Sequence, residues 1–86
     1  MSKEFGIRLY YLRRHKTVYN HTHMARLLNI ERSTYTKYET GDTEPSLATL
    51  AKIKEIIGVS YDELLTMPLK EEEIVDYEIF KQKRNR

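Results

Sequence analysis

The sequence predicts an all-α fold of five short helices followed by a C-terminal extension. Three observations carry that prediction. Only three Gly and two Pro punctuate the 86 residues. No alternating β-branched run lies between turn signals, so no strand is expected. Apolar residues recur instead at helical spacing, with capping residues at the breaks.

The first helix is expected from about Lys3 to Arg14 or His15. Phe5, Leu9 and Leu12 fall there at i, i+4 and i+7, one apolar stripe that Tyr10 and Tyr11 widen or flank. Lys16-Thr17-Val18-Tyr19 reads as a turn. Asn20 reads as an N-cap, because its side-chain oxygen accepts an orphan backbone N–H. A second helix follows from His21 to Leu28, with Met24, Leu27 and Leu28 apolar. Asn29 tolerates the left-handed conformation that ends a helix. The third helix spans about Arg32 to Thr40, with Tyr35 and Tyr38 as its inward pair and Gly41 just past its end.

Asp42-Thr43-Glu44-Pro45 is a loop, and Ser46 caps a fourth helix over 47–57. Leu47, Leu50, Ala51, Ile53, Ile56 and Ile57 give that helix a broad apolar face, and Gly58 stops it. Ser60 and Glu63 have the reciprocal spacing of a capping box. A fifth helix over 61–66 follows, and Pro68 ends it. Residues 1–67 form one domain on this reading, and residues 68–86 an extension. Within the extension Lys70 to Glu78 is acidic and Lys81 to Arg86 basic. Ile74, Val75, Ile79 and Phe80 line one side of a sixth helix over 71–83, or belong to a partly ordered tail. Burial against the domain or against a second copy would each explain them.

Composition bounds the function. Cysteine is absent, which removes disulfides, thiolate metal sites and cysteine nucleophiles. The longest apolar run is Leu9-Tyr10-Tyr11-Leu12, against the roughly 20 residues of a membrane span. No apolar segment follows Lys3 and Glu4, so neither a leader nor a membrane partner is expected, and the chain is expected to be cytoplasmic. A chain this short buries only about 60% of its unfolded surface, which suits a module presenting a surface better than an enzyme with a deep pocket. No Ser/His/Asp set, Gly-rich phosphate loop or carboxylate pair has catalytic spacing, and no cofactor is expected. His21 and His23 point about 200° apart on a helix, so they do not share a metal ion. Residues 1–41 carry eight Lys/Arg against three Asp/Glu, and residues 42–86 carry seven against ten. A basic front and an acidic back suit a polyanion approached from one side.

The informative stretch is Met24 to Gly41. Two short helices are joined there by a turn of three or four residues. Small Ala25 sits where the helices approach, Asn29 in the turn and Ile30 behind it. That is helix-turn-helix geometry. It puts the third helix on the surface, sized for a major groove about 12 Å wide. Arg32, Ser33, Thr36 and Lys37 face away from Tyr35 and Tyr38, and they are the expected base contacts. Arg32 has the fork for guanine O6/N7, and Lys37 the reach for a guanine or a phosphate. Phosphates are expected at the start of the second helix, at Asn20 and His21, where free N–H groups and the dipole favour anions. Thr40 and Thr43 in the following loop are further phosphate candidates.

Over residues 9–65 the chain resembles the phage-repressor/Cro-like family of helix-turn-helix proteins, the xenobiotic-response-element type. The matching pieces are Leu12-Arg13, Met24-Ala25, Leu28, Arg32-Ser33-Thr34 and Tyr38-Glu39-Thr40-Gly41. Glu44 to Leu50 and Gly58 to Leu65 complete the ordered set. The resemblance implies a five-helix lambda-repressor-like bundle that binds double-stranded operator DNA as a homodimer and regulates transcription, with repression expected. It also implies an internal ion pair between Arg13 and Glu39, with Arg14 taking the place of Arg13 if the first helix is shifted. Four features depart from the family. The Lys16–Tyr19 turn is one residue longer. His21 replaces a frequent Gln, Glu31 a small capping residue, and Thr40 an Asn. An alternative function is a protein-interaction module on the same fold, an antitoxin or anti-repressor, holding a protein partner through residues 70–86.

Overall fold

Local signals place most element boundaries. In the computed structural model, which describes residues 4–84, the order is α1 (Glu4–Lys16), α2 (His21–Leu28), α3 (Arg32–Thr40), α4 (Leu47–Ile57), α5 (Tyr61–Thr66) and α6 (Glu71–Arg84). No strand occurs among the described residues. None of the helices is long and apolar enough to cross a membrane. The expected start of the first helix at Lys3, and Asn85 and Arg86 of the basic run, lie outside the described residues.

The caps act as their chemistry requires. Asn20 accepts the His23 N–H at 2.9 Å, and His23 Nδ1 faces the Asn20 N–H at 3.5 Å, completing a capping box. Ser46 accepts from the Thr49 N–H, and Ser60 and Glu63 cap α5 reciprocally. Asn29 ends α2 at φ 57°, the one non-glycine residue with positive φ among those described. Gly41 ends α3 at φ 84°, where a Cβ would be strained.

The main core joins Phe5, Leu9 and Leu12 of α1 to Met24, Ala25 and Leu28 of α2 and Tyr35 and Tyr38 of α3. Leu50, Ile53 and Ile57 of α4 and Leu64 of α5 close it. Ile30 packs on this core behind the turn. Every residue from Phe5 to Arg13 is buried, so α1 is covered on all sides rather than along one stripe. Its second face explains why. Ile7, Tyr10 and Tyr11 form a separate apolar cluster with Tyr77 of α6, flanked by Leu69 and Phe80.

That cluster corrects the reading of the extension. α6 docks on α1 through Tyr77, which is 3% exposed, and through Phe80. Ile74, Val75 and Ile79 stay 38%, 52% and 47% exposed. The side of α6 that packs is therefore an aromatic one, and most of the aliphatic stripe faces outward. Leu47 is likewise 83% exposed at the start of α4, Leu27 is half exposed, and Tyr61 is exposed with Lys54 Nζ 5.2 Å from its ring.

Candidate nucleic-acid interface

The two helices α2 and α3 are held at their angle by a polar cluster beneath them. Its centre is Glu39, fully buried on the inner face of α3. Arg13 of α1 meets it bidentately, with Nε 2.7 Å from Oε2 and Nη2 3.2 Å from Oε1. His21 Nε2 lies 2.9 Å from Oε1, and the Tyr35 hydroxyl donates to Oε2 at 2.5 Å. An ionised carboxylate has about four acceptor sites, and these bonds fill them. Because the carboxylate only accepts, the proton sits on His21 Nε2. The Thr36 hydroxyl then donates to His21 Nδ1 at 3.2 Å. Arg13 Nη1 also donates to the Tyr19 carbonyl at 3.1 Å, fastening the long turn ahead of α2. No buried side-chain nitrogen or oxygen among the described residues lacks a partner.

The electrostatics follow from this packing. Burial pushes the Glu39 carboxyl up. The hydrogen bonds and charges of His21 and Arg13 outweigh burial and hold it below its ordinary 4.5. Burial lowers the Arg13 guanidinium, and Glu39 more than restores it, so its value lies above normal. Burial and the neighbouring Glu39 raise the Tyr35 hydroxyl well above 10. Burial and the Asp76 carboxylate push Tyr11 up to about 12.

The structure brings Arg13 and Glu39 together, while Arg14 stays outside the cluster and donates to the Tyr10 hydroxyl. Arg32, Ser33 and Lys37 are exposed on the outer face of α3. Thr36 is not on that face. It is 5% exposed and spent on His21, because the side of α3 facing α2 is wide enough to include it. His21 needs the same correction. Its ring is 9% exposed and turned inward to Glu39 and Thr36, so only its backbone N–H remains for an anion at the start of α2. Asn20 is exposed, with its side-chain oxygen engaged by the cap. Thr40 is half-buried with its hydroxyl 2.9 Å from Asp42 Oδ2, and Thr43 is exposed. Glu31 occupies the N-cap position of α3 without making a side-chain cap, and it stays exposed at the mouth of the helix. Among the described residues no group of His, Asp and Glu is arranged to hold a metal ion.

Sequence reasoning missed Gly6 and Tyr77. A Cβ on Gly6 would lie 2.5 Å from the Glu39 carbonyl oxygen and 3.1 Å from that of Tyr38, so α1 and α3 touch backbone to backbone there. The available signal was a lone glycine inside a helical period, where it costs helix stability and usually has a packing reason. Tyr77 donates its hydroxyl to the Glu39 carbonyl, and the edge of the Phe80 ring stands 5.8 Å from His21. α6 thus reaches the cluster from behind.

Comparison with known proteins gives the same architecture a context. The helix-turn-helix family model matches residues 20–64. Over 61 residues the chain is 49% identical to the SPbeta prophage-derived uncharacterized HTH-type transcriptional regulator YonR of Bacillus subtilis (strain 168). That match covers 71% of this chain and 56% of the relative. Over 52 residues it is 38% identical to an uncharacterized HTH-type transcriptional regulator of Haemophilus influenzae, covering 60% of this chain and 22% of that protein. The chain therefore matches about half the length of the first relative and about a fifth of the second. No solved structure matches it.

Proposed function

Because the chain belongs to the helix-turn-helix family, we propose that it is a sequence-specific double-stranded DNA-binding regulator of transcription, a repressor rather than an enzyme. One observation carries the proposal. The outer face of α3 exposes Arg32, Ser33 and Lys37, while its inner face buries Tyr35, Thr36, Tyr38 and Glu39. A helix built this way is fixed by one side and free to read with the other. Arg32 takes a guanine edge, and Lys37 a guanine or a phosphate. The N–H groups at the start of α2, with Asn20 beside them, take a backbone phosphate, and Thr40 and Thr43 hold the strand beyond α3. Thr36 acts through His21 and not on a base.

Two copies place their reading helices in successive major grooves about 34 Å apart, on a near-palindromic site in the cytoplasm. Residues 1–67 are the reading unit on this account, and residues 68–86 the appendage that braces it. The names of both relatives, as transcriptional regulators, support the same reading.

A second reading has its own observation. Ile74, Val75 and Ile79 remain exposed on α6 beside exposed Glu71, Glu72 and Glu78. An apolar groove with a basic rim on a protein partner fits that stripe, as an interaction module would require. Selection of bound duplexes from a randomised library separates the two. Enrichment of a two-fold motif, with half-sites about one helical turn apart, supports the regulator. No enrichment, from folded protein, rejects it in favour of the interaction module.

A further inference from the structure

Two clefts lie side by side next to the start of α2, and α6 forms part of both. The first, about 330 Å³, opens among Arg14 of α1, Asn20 and Thr22 at the start of α2, Arg32 of α3 and the rings of Tyr10 and Phe80. No carboxylate lines it. The second, about 430 Å³, is lined by Tyr10, Arg14, Asp76, Ile79, Phe80 and Lys83. The Tyr10 and Phe80 rings, 4.6 Å apart, form the ridge between the two. Arg14 belongs to both clefts and is held in place. Its guanidinium lies 5.1 Å from the Tyr10 ring centre and donates to the Tyr10 hydroxyl. The one acidic group of the second cleft, Asp76, already accepts from the Tyr11 hydroxyl at 3.2 Å and is opposed there by two cations, Arg14 and Lys83.

We infer that the C-terminal end of α6 is part of the DNA interface, with Arg14 and Lys83 taking the backbone phosphate next to the one held at the start of α2. The inference rests on the DNA-binding function proposed above and extends it beyond the helix-turn-helix. A strand whose phosphate sits in the first cleft, between Arg14, Arg32 and the α2 N–H groups, continues over the Tyr10–Phe80 ridge into the second. Both clefts are open and cationic, as a polyanion track requires, and Arg14 is ordered before the strand arrives. Such contacts position the protein without reading bases.

The test is the salt dependence of binding to the duplex recovered by selection, using the full chain and its Lys83→Ala, Lys83→Arg and Lys52→Ala variants. Lys83 and Lys52 are both exposed, so each variant keeps the fold, and circular dichroism checks it. Lys52 on α4 lines neither cleft and is the control for bulk charge. Loss of one phosphate contact lowers the slope of log K against log salt by about 0.9. The expected result is that decrease for Lys83→Ala, a several-fold weaker affinity near about 100 mM salt, an unchanged base preference, a wild-type slope for Lys83→Arg, and no effect of Lys52→Ala. A wild-type slope and affinity for Lys83→Ala, while Arg32→Ala loses binding, overturns the α6 contact and leaves the DNA-binding function standing. A wild-type chain that binds no duplex overturns both.

Discussion

The Tyr77 hydroxyl donates to the backbone carbonyl of Glu39, 38 positions away in sequence, and so joins α6 to the last turn of the reading helix. That carbonyl is one of the four at a helix end without an intrahelical partner. Glu39 is therefore held twice. Its side chain is held by α1 and α2, and its backbone by α6. The appendage after Pro68 acts on the same residue that fixes the angle of α3.

Replacing Tyr77 by Phe keeps the ring against Tyr10 and Phe80 and removes only this bond. The expected cost is about 1 kcal/mol. For a domain of this size that lowers the melting temperature by roughly 4–8 °C. An unchanged melt would mean that water satisfies the carbonyl equally well and that α6 is held by its rings alone.

Glu39→Ala leaves Arg13 buried beside His21 with no anion, and breaking such a pair costs about 3–5 kcal/mol. The pH dependence has a definite sign. Glu39 titrates below its ordinary 4.5 in the folded chain, so the unfolded chain binds more protons just below that value. The stability it contributes is complete above 4.5 and is lost as pH falls through the depressed folded value. The gap between the melting temperatures of wild type and Glu39→Gln should therefore narrow as pH is lowered beneath 4.5. A gap independent of pH would remove the ion pair from the account.

Gly6→Ala tests the backbone contact between α1 and α3. On an isolated helix the change would stabilise, because alanine is the better helix former by about 1 kcal/mol. Here the new methyl would lie 2.5 Å from the Glu39 carbonyl oxygen, a backbone atom that cannot rotate away. Overpacking of this kind costs about 1–3 kcal/mol, so denaturant unfolding should show a net loss. A gain in stability would show that the helices separate at no cost.

The outer and inner faces of α3 should respond differently to substitution. Arg32→Ala should cost about 1–3 kcal/mol of discrimination at one base position while leaving the melting temperature unchanged. Thr36→Ala should do the reverse. It unpairs His21 Nδ1 and should lower stability with the preferred sequence retained. Competition binding against single-base variants of the selected duplex reads the first effect, and thermal melting the second. A shifted base preference in Thr36→Ala would return that residue to the reading face.

The signals legible in the sequence were the local ones. Asn20, Ser46 and the Ser60–Glu63 box each bond within three residues of themselves, and Asn29, Gly41 and Gly58 turn the chain through their own φ angles. Such signals survive in a one-dimensional string, and they placed the helix boundaries and the turn between α2 and α3. Apolar period found the main core through Phe5, Leu9, Leu12, Tyr35 and Tyr38. Arg13 and Glu39, 26 positions apart, entered only through resemblance to a family.

Tertiary structure alone decided what Glu39 gathers. His21 lies 18 positions from it and Tyr77 38, and the Gly6 contact crosses from α1 to α3. No local period encodes such distances. The same cause explains the two misplaced site residues. Thr36 and His21 are polar and sit beside exposed neighbours, so a helical wheel assigns them to solvent. They are inside because a buried carboxylate needs its acceptor sites filled and a buried imidazole needs both nitrogens paired. In α6 the aliphatic stripe suggested the wrong face for a related reason. Tyr77 buries its ring against α1 while its hydroxyl finds a backbone carbonyl, a pairing that depends on a partner helix and not on hydropathy.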